Sequence, residues 1–470
     1  MMGDQPIYMP ASEMVAAFST RRLSPVDVAQ AALDRIAEIQ PTLNAFCVID
    51  AEAAMSDARA SEERYANGSP LGPVDGVPTT LKDLVLTRGW PTRRGSRTIS
   101  EDGPWNQDGP ATARLRESGA VLLGKTTTPE FAYKPVTVSP LTGTTRNPWN
   151  PALTPGGSSG GAGAATATGA GTLALGTDAG GSIRIPSSFC GVFGLKPSGG
   201  RVPMYPPTPL ASLVGFGPMT RTVEDAARML TVLARPDIRD VAALPFDEIA
   251  YHERLDADPK TWRIAFSPTM GYAQVDDEVA TLVEEATRDF ARMGARVETV
   301  DRVMDNPEPL MTKLRRGFTA YAFRNMGEDQ FALMDPDLVA DIRESRGASL
   351  NAHLDAEMER VALLKRMISF HEDYDFLVTP TLTVPPFSVD LERPEGETRY
   401  SWTGLCIPFN LTRQPAASVP CGFTREGLPV GLQIVGPPRA DLEVLQAARA
   451  LERARPWADA TPDPRKWVAT

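Results

Sequence analysis

The 470-residue chain carries 48 basic and 59 acidic side chains, and its net charge of −11 argues against a nucleic-acid or anionic-membrane surface. Its 42% hydrophobic and 23% charged fractions are those of a soluble globular protein, and no run approaches the ~18 apolar residues of a membrane span. The start, Met1 to Arg22, has no cationic segment followed by an apolar core, so no secretory signal is expected. Cys47, Cys190, Cys406 and Cys421 are scattered without a Cys-x-x-Cys pair. The expectation is therefore reduced thiols in a cytoplasmic protein, with no zinc or other metal and no cofactor.

In chain order, Ser12 to Thr20 and Ser24 to Gln40 read as two helices. In the second, Ser24 caps, Pro25 takes the first helical position, and Val28, Ala32, Ile36 and Ile39 share one face. Asp50 to Ala66 is an alanine-rich helix ended by Asn67-Gly68, completing an N-terminal helical segment over about 10–66. A strand entering a loop is expected over Gly76 to Asp83, a helix over Thr112 to Ser118 and a strand over Ala120 to Leu123. The run Gly160 to Gly176 suits a buried helix of small residues, with strand-like Leu173 to Leu175 at its end. Helices over Thr222 to Leu233 and Glu278 to Met293 flank a strand at Trp262 to Phe266. Leu338 to His371 reads as one charged helical stretch before a buried strand at Phe376 to Pro380. Strands at Ala417 to Val419 and Leu432 to Val435 precede a last helix, Asp441 to Arg453. Helix and strand mix throughout with no break in composition, which predicts one α/β domain over 1–470.

The most informative stretch is the serine-rich core at 154–191, TPGGSSGGAGAATATGAGTLALGTDAGGSIRIPSSFCG. Its five serines sit among glycines and alanines, the composition of backbone that approaches a ligand closely. It holds no histidine; His252, His353 and His371 all lie downstream. A serine nucleophile here needs a base other than imidazole. Gly156 to Gly160 matches the G-x-S-x-G elbow of α/β hydrolases, but that elbow follows a hydrophobic strand. Pro148, Pro151 and Pro155 precede this one and exclude a central strand. Gly119 to Thr126 matches a phosphate-loop pattern, yet its middle is the apolar strand itself, and Gly161-Ala162-Gly163 lacks the strand a dinucleotide fingerprint needs.

The core resembles the amidase signature family, and the resemblance runs over roughly residues 10 to 455. Gly72 to Pro78 leading to Lys82-Asp83 is similar to that family's lysine segment. Leu123 to Thr126, Thr128 to Ala132, Asn147 to Asn150, Gly194 to Ser198 and Gly217 to Arg221 follow its pattern, with Thr127 where an asparagine is common. Pro415 to Cys421 and Leu428 to Gln433 extend the likeness toward the C-terminus. The resemblance implies a single large domain with a central mixed β-sheet covered by helices on both faces. It also implies an amidase that converts a carboxamide to a carboxylate through an acyl-serine intermediate. Amidotransferase subunits that hydrolyse glutamine share the signature, so such a subunit is the alternative.

Amide hydrolysis needs an activated nucleophile, a proton for the departing nitrogen and a site for the oxyanion. The resemblance assigns a Ser–Ser–Lys relay: Ser182 as nucleophile, Ser158 as bridge and Lys82 as base. Ser158 precedes Ser182 by 24 positions, the family's spacing, which favours it over the adjacent Ser159. A cis peptide before Ser158 is implied as well. A lysine at its ordinary pKa of about 10.4 is protonated at neutral pH and is no base. Lys82 stands among Val77, Leu81, Leu84 and Val85, where burial lowers that value; Asp83 opposes the shift if it points the same way. The backbone N–H groups of Ala179, Gly180, Gly181 and Ser182 are the expected oxyanion hole, supported by an Asp178–Arg184 ion pair. Cys190 has no accompanying base and reads as packing.

The resemblance puts the substrate pocket in Phe131 to Thr137, Leu310 to Met326 and Tyr400 to Cys406. These segments offer Phe131, Tyr133 and Trp402, with Phe318, Tyr321 and Phe323, as an apolar lining for small aryl or aliphatic amides, with esterase activity as a side reaction. Arg315, Arg316 and Arg324 are the charges that could receive a substrate carboxylate instead. Thr403 stands where amidotransferase subunits usually carry an acidic residue, which favours a free amidase. The expected partner is a small-molecule amide, with no nucleic acid and no membrane; a homodimer is compatible with this reading.

Overall fold

The computed structural model describes residues 6–210 and 212–467; the outermost ends of the expected 1–470 span and the first five residues of the leader reading lie outside them. After helices α1 (Ala11–Ser19) and α2 (Pro25–Leu43) come strand β1 (Phe46–Ile49), α3 (Ala51–Ala66) and β2 (Pro78–Lys82). Then follow α4 (Pro110–Glu117), β3 (Val121–Thr126) and a small hairpin of β4 (Val138–Ser139) and β5 (Gly143–Thr144). Next are α5 (Gly160–Ala167), β6 (Leu173–Asp178), α6 (Arg184–Cys190), β7 (Phe193–Lys196), β8 (Gly215–Thr220) and α7 (Val223–Leu233). The second half holds β9 (Arg263–Phe266), α8 (Asp277–Arg292), β10 (Arg296–Thr299), α9 (Glu308–Ala322), α10 (Glu328–Phe331), α11 (Pro336–Ser345) and α12 (Leu350–Asp373). The chain closes with β11 (Phe376–Pro380), α13 (Pro408–Leu411), β12 (Ala416–Phe423), β13 (Pro429–Val435) and α14 (Asp441–Ala454).

Eleven strands form one mixed sheet in the order β1-β3-β2-β6-β8-β7-β12-β13-β11-β9-β10. β2 runs parallel to both β3 and β6, while the central β8, β7, β12 and β13 are antiparallel to their neighbours. Successive side chains of a strand point to opposite faces, and both faces are packed. On β3, Leu122 joins the cluster containing Val223, Ala226 and Leu230 of α7. Val121 and Leu123 join the one containing Ile36 and Ile39 of α2 and Ala164 of α5. Helices therefore cover the sheet on both sides. No described helix is long and apolar enough to cross a membrane.

Local signals set the ends of many elements. Ser24 caps α2 by accepting the Val26 N–H at 2.9 Å, and Asp50 caps α3 by accepting the Ala53 N–H at 2.9 Å. Two expected elements are shorter than the composition suggests. The small-residue helix stops at Ala167, because Gly169 and Gly171 take φ of +76° and +156° and turn the chain into β6. The expected helix over Leu338 to His371 is two helices, broken at Gly347, with Ser349 capping α12 by accepting the Ala352 N–H at 3.1 Å. The phosphate-loop match at Gly119 to Thr126 is the buried strand β3, and no strand of the sheet leads into Gly156.

Candidate active site

Parallel β2 and β6 are neighbours in register, Leu81 against Leu175, so their C-terminal ends lie side by side. That is where open α/β sheets place their ligands. Lys82 ends β2, Thr177 lies at the end of β6, and Ser158 and Ser159 come from the turn entering α5. The Gly157–Ser158 peptide is cis. A Cβ at Gly157 would lie 2.8 Å from the Val136 backbone, so only glycine lets the turn pass this close.

Lys82 is 0% exposed. Its Nζ stands 2.7 Å from Ser158 Oγ, 2.9 Å from Ser159 Oγ and 3.0 Å from Thr177 Oγ1. Three hydroxyls and no carboxylate contact the amine. Burial drives its pKa well below the lysine range, and the opposing charge of Asp178 does not restore it. Asp83, whose direction the sequence left open, takes no part: its carboxylate accepts the Gly95 N–H at 3.1 Å and lies 3.7 Å from Lys125 Nζ. The hydroxyl of Thr177 and the direct contact of Ser159 were not assigned from sequence. A threonine closing the strand beside the lysine strand was the available signal for the first.

Ser182 lies in the loop between β6 and α6, partly exposed, and its carbonyl accepts the Ser159 N–H at 3.2 Å. Asp178 organises this loop from beneath. Its carboxylate accepts the N–H groups of Gly181 at 2.7 Å and Ile183 at 3.2 Å. The Gly181 amide, expected in the oxyanion hole, is thus turned inward and occupied. The amides of Ala179, Gly180 and Ser182 have no protein acceptor among the described residues. An added Cβ at Gly180 would meet nothing within 4 Å, so a ligand has room over that amide. Gly181 carries φ of +115°, and a Cβ there would lie 2.9 Å from Cys406 and Ile185 side-chain atoms.

Asp178 and Arg184, both fully buried, form a bidentate pair at 3.0 and 2.9 Å. Arg184 also donates to Cys406 O at 2.8 Å, Gln433 Oε1 at 2.7 Å and Asn410 Oδ1 at 2.7 Å. Burial pushes the Asp178 carboxyl up, but the Arg184 charge and hydrogen bonds overcome it and hold the group ionised, well below the usual carboxylate range. Gln433 belongs to a segment that resembles the family, but no role was assigned to it or to Asn410 from sequence.

A cavity of about 130 Å³ opens over Ala179, Gly180 and Ser182. Phe131, Tyr133 and Phe323 line it as expected, together with Leu213, Met311, Leu338, Ile407 and Thr403. Trp402 does not. It is 0% exposed and stacks on Phe189 at 5.8 Å, with Phe387 edge-on at 5.1 Å, in the core behind the cavity. Phe318 packs on His353, and Tyr321 is exposed under Arg324, so neither reaches the lining. Of the three arginines considered, only Arg315 lines the cavity, and Asp341 pairs with it at 2.9 Å. Arg399, missed in the sequence, also lines it, over the Tyr133 ring at 3.7 Å. The lining includes Lys134, Arg315 and Arg399 but no carboxylate. None of the three histidines belongs to it, and burial lowers His371 to about 4. Cys190 is buried with its thiol pKa raised by desolvation. Among the described residues no group of three or more His, Cys, Asp or Glu side chains is placed to hold a metal ion.

The Amidase family model matches residues 27–445. An acylamidase of Rhodococcus erythropolis is 37% identical over 97% of this chain and 97% of its own length. A glutamyl-tRNA(Gln) amidotransferase subunit of Myxococcus xanthus is 34% identical over 94% of this chain and 96% of its own. Among solved structures, a bacterial aryl acylamidase of the amidase signature family superposes with a TM-score of 0.88 at 31% identity, covering 96% of this chain and 97% of that one. Extended over nearly the whole length of each protein, these likenesses show that the chain belongs to the amidase signature family and is an amide hydrolase acting on carbon–nitrogen bonds other than peptide bonds.

Proposed function

We propose that this chain hydrolyses small aryl or aliphatic carboxamides through an acyl-enzyme on Ser182, with Ser158 as proton bridge and Lys82 as base. The observation that carries the proposal is the Lys82 amine, fully buried, contacted by hydroxyls alone and depressed in pKa by that burial. A neutral amine there accepts the Ser158 hydroxyl proton as Ser158 accepts the Ser182 proton, and Ser182 Oγ attacks the substrate carbonyl carbon. The oxyanion is met by the free amides of Ala179, Gly180 and Ser182, while the Gly181 amide stays with Asp178 and fixes the loop. As the tetrahedral intermediate collapses, the relay returns the proton to the departing nitrogen, which leaves as ammonia or amine. Water then attacks the Ser182 ester by the same relay, releasing the carboxylate. Esters form the same acyl-enzyme with an easier leaving group and are expected side substrates.

The cavity supports the substrate class. Its volume of about 130 Å³ approaches the roughly 150 Å³ apolar cavity that holds benzene. The likeness to amidotransferase subunits brings in the second reading, glutamine hydrolysis within a complex. The lining counts against it, since glutamine's ammonium finds three basic side chains and no carboxylate. Treating the purified chain with a fluorophosphonate and mapping the adduct tests the chemistry: Ser182 is the expected site, and an adduct on Ser158 or on no serine refutes the assignment. Turnover of hexanamide or benzamide by the chain alone separates a free amidase from one that works only within a complex.

A further inference from the structure

Helix α12 is packed on one side and bare on the other. Ala356 and Leu363 sit in a cluster with Leu310, Met311 and Leu314 of α9, and Met367 is fully buried. On the opposite side Leu350 is 71% exposed, Leu354 51%, Met358 68%, Val361 42% and Ile368 46%. From Leu354 onward the spacings of 4, 3 and 7 positions follow the seam of a coiled coil, with Lys365 at the remaining seam position, and Leu350 stands one position before the seam. A helix that faces water alone carries polar residues on that side. From Leu350 to Ile368 the stripe advances 18 positions, or about 27 Å of helix.

We propose that the stripe is the contact of a two-fold symmetric homodimer, in which α12 packs antiparallel to α12 of a second copy. Charge selects this occupant. Exposed Asp355 lies in the N-terminal half of the stripe and exposed Lys365 in the C-terminal half, and neither forms an ion pair among the described residues. Setting Met358 against Val361 of the second copy brings Lys365 over Leu354 and beside Asp355 of that copy. The two-fold axis repeats the pair. Parallel packing would instead set Asp355 against Asp355 and Lys365 against Lys365. An anionic lipid surface fits less well, because Asp355 and Glu359 are exposed beside the stripe and the chain carries a net charge of −11. The contact is independent of the chemistry assigned to Ser182.

Light scattering on the eluting full chain, followed over a dilution series, tests the interface. The unaltered chain is expected to be a dimer. Asp355→Lys or Lys365→Asp alone places like charges together twice and should weaken the dimer by about tenfold or more. The Asp355→Lys/Lys365→Asp double variant should restore it, and Met358→Arg should give monomer. All four variants should keep wild-type far-UV circular dichroism and amidase rate, since these side chains face water and line no cavity of the active site. A monomer throughout the series overturns the proposal, whether or not that monomer binds phosphatidylglycerol vesicles. So does a dimer that survives Met358→Arg, or a double variant no tighter than the singles.

Discussion

Replacing Arg184 by methionine keeps the length of the side chain and removes its charge from a fully buried site. The variant strips five hydrogen bonds, two to the Asp178 carboxylate and one each to Cys406 O, Gln433 Oε1 and Asn410 Oδ1. Breaking a buried pair by deleting one partner costs about 3–5 kcal/mol, because the remaining charge is left in low dielectric. Here that charge is Asp178, whose ionised form depends on Arg184 to overcome its burial. Without the arginine the carboxyl is driven toward protonation and loses acceptor strength toward the Gly181 amide, so the loop carrying Ser182 should loosen as well. Urea unfolding followed by far-UV circular dichroism should show the first transition at clearly lower denaturant, equivalent to about 3–5 kcal/mol. The Asp178→Asn/Arg184→Met double variant should be more stable than Arg184→Met alone, because the uncompensated charge is gone. A loss below about 1 kcal/mol, or a double variant less stable than the single, would refute the idea that pairing in a buried site holds this loop.

Ser182→Ala should abolish turnover, Lys82→Ala should lose about 10²–10⁴-fold and Ser158→Ala somewhat less, as water partly replaces a hydroxyl bridge; kcat/KM on one good amide measures the order, and a near-normal Lys82→Ala rate at neutral pH defeats the lysine base. Because burial depresses the Lys82 amine, its active neutral form gains as pH rises, so the rate should climb through neutrality and stay high in alkali. That profile should survive substitution of His252, His353 and His371 together, and a limb that disappears with them would contradict it. Chelator dialysis should leave the rate unchanged, and activity restored only by zinc or magnesium would reveal a metal site outside the groups described. Hexanamide and benzamide should outperform glutamine in kcat/KM, and a dicarboxylic half-amide tests Arg399 directly: a preference for the half-amide that Arg399→Gln removes would replace the apolar reading with a carboxylate-binding one.

Sequence determined what depends on neighbours along the chain. The caps at Ser24 and Asp50, the strands at Lys82 and Leu173, and the glycine-rich turns around Ser158 and Ser182 are local in origin. They are legible because cap geometry, period and steric room are properties of a few consecutive residues. Lys82, Ser158 and Ser182 became candidates by a different route, through the resemblance of their motifs to the amidase signature family. Whether an aromatic side chain joins the cavity or the core depends on what stands opposite, and sequence holds no such record. Trp402 and Tyr133 look alike as letters, yet one stacks on Phe189 and the other faces the cavity. The same holds for Asp83, which turns to Lys125 rather than to its neighbour, and for Gly181, whose amide Asp178 takes. Thr177 meets the lysine only because β2 and β6 are adjacent in an eleven-strand order that no local rule specifies. Distances between segments far apart in the chain, and the burial that follows from them, were decided by tertiary packing alone. The depressed amine of Lys82 is the product of both: the sequence placed it near Val77, Leu81, Leu84 and Val85, and the fold buried it and supplied hydroxyls in place of a carboxylate.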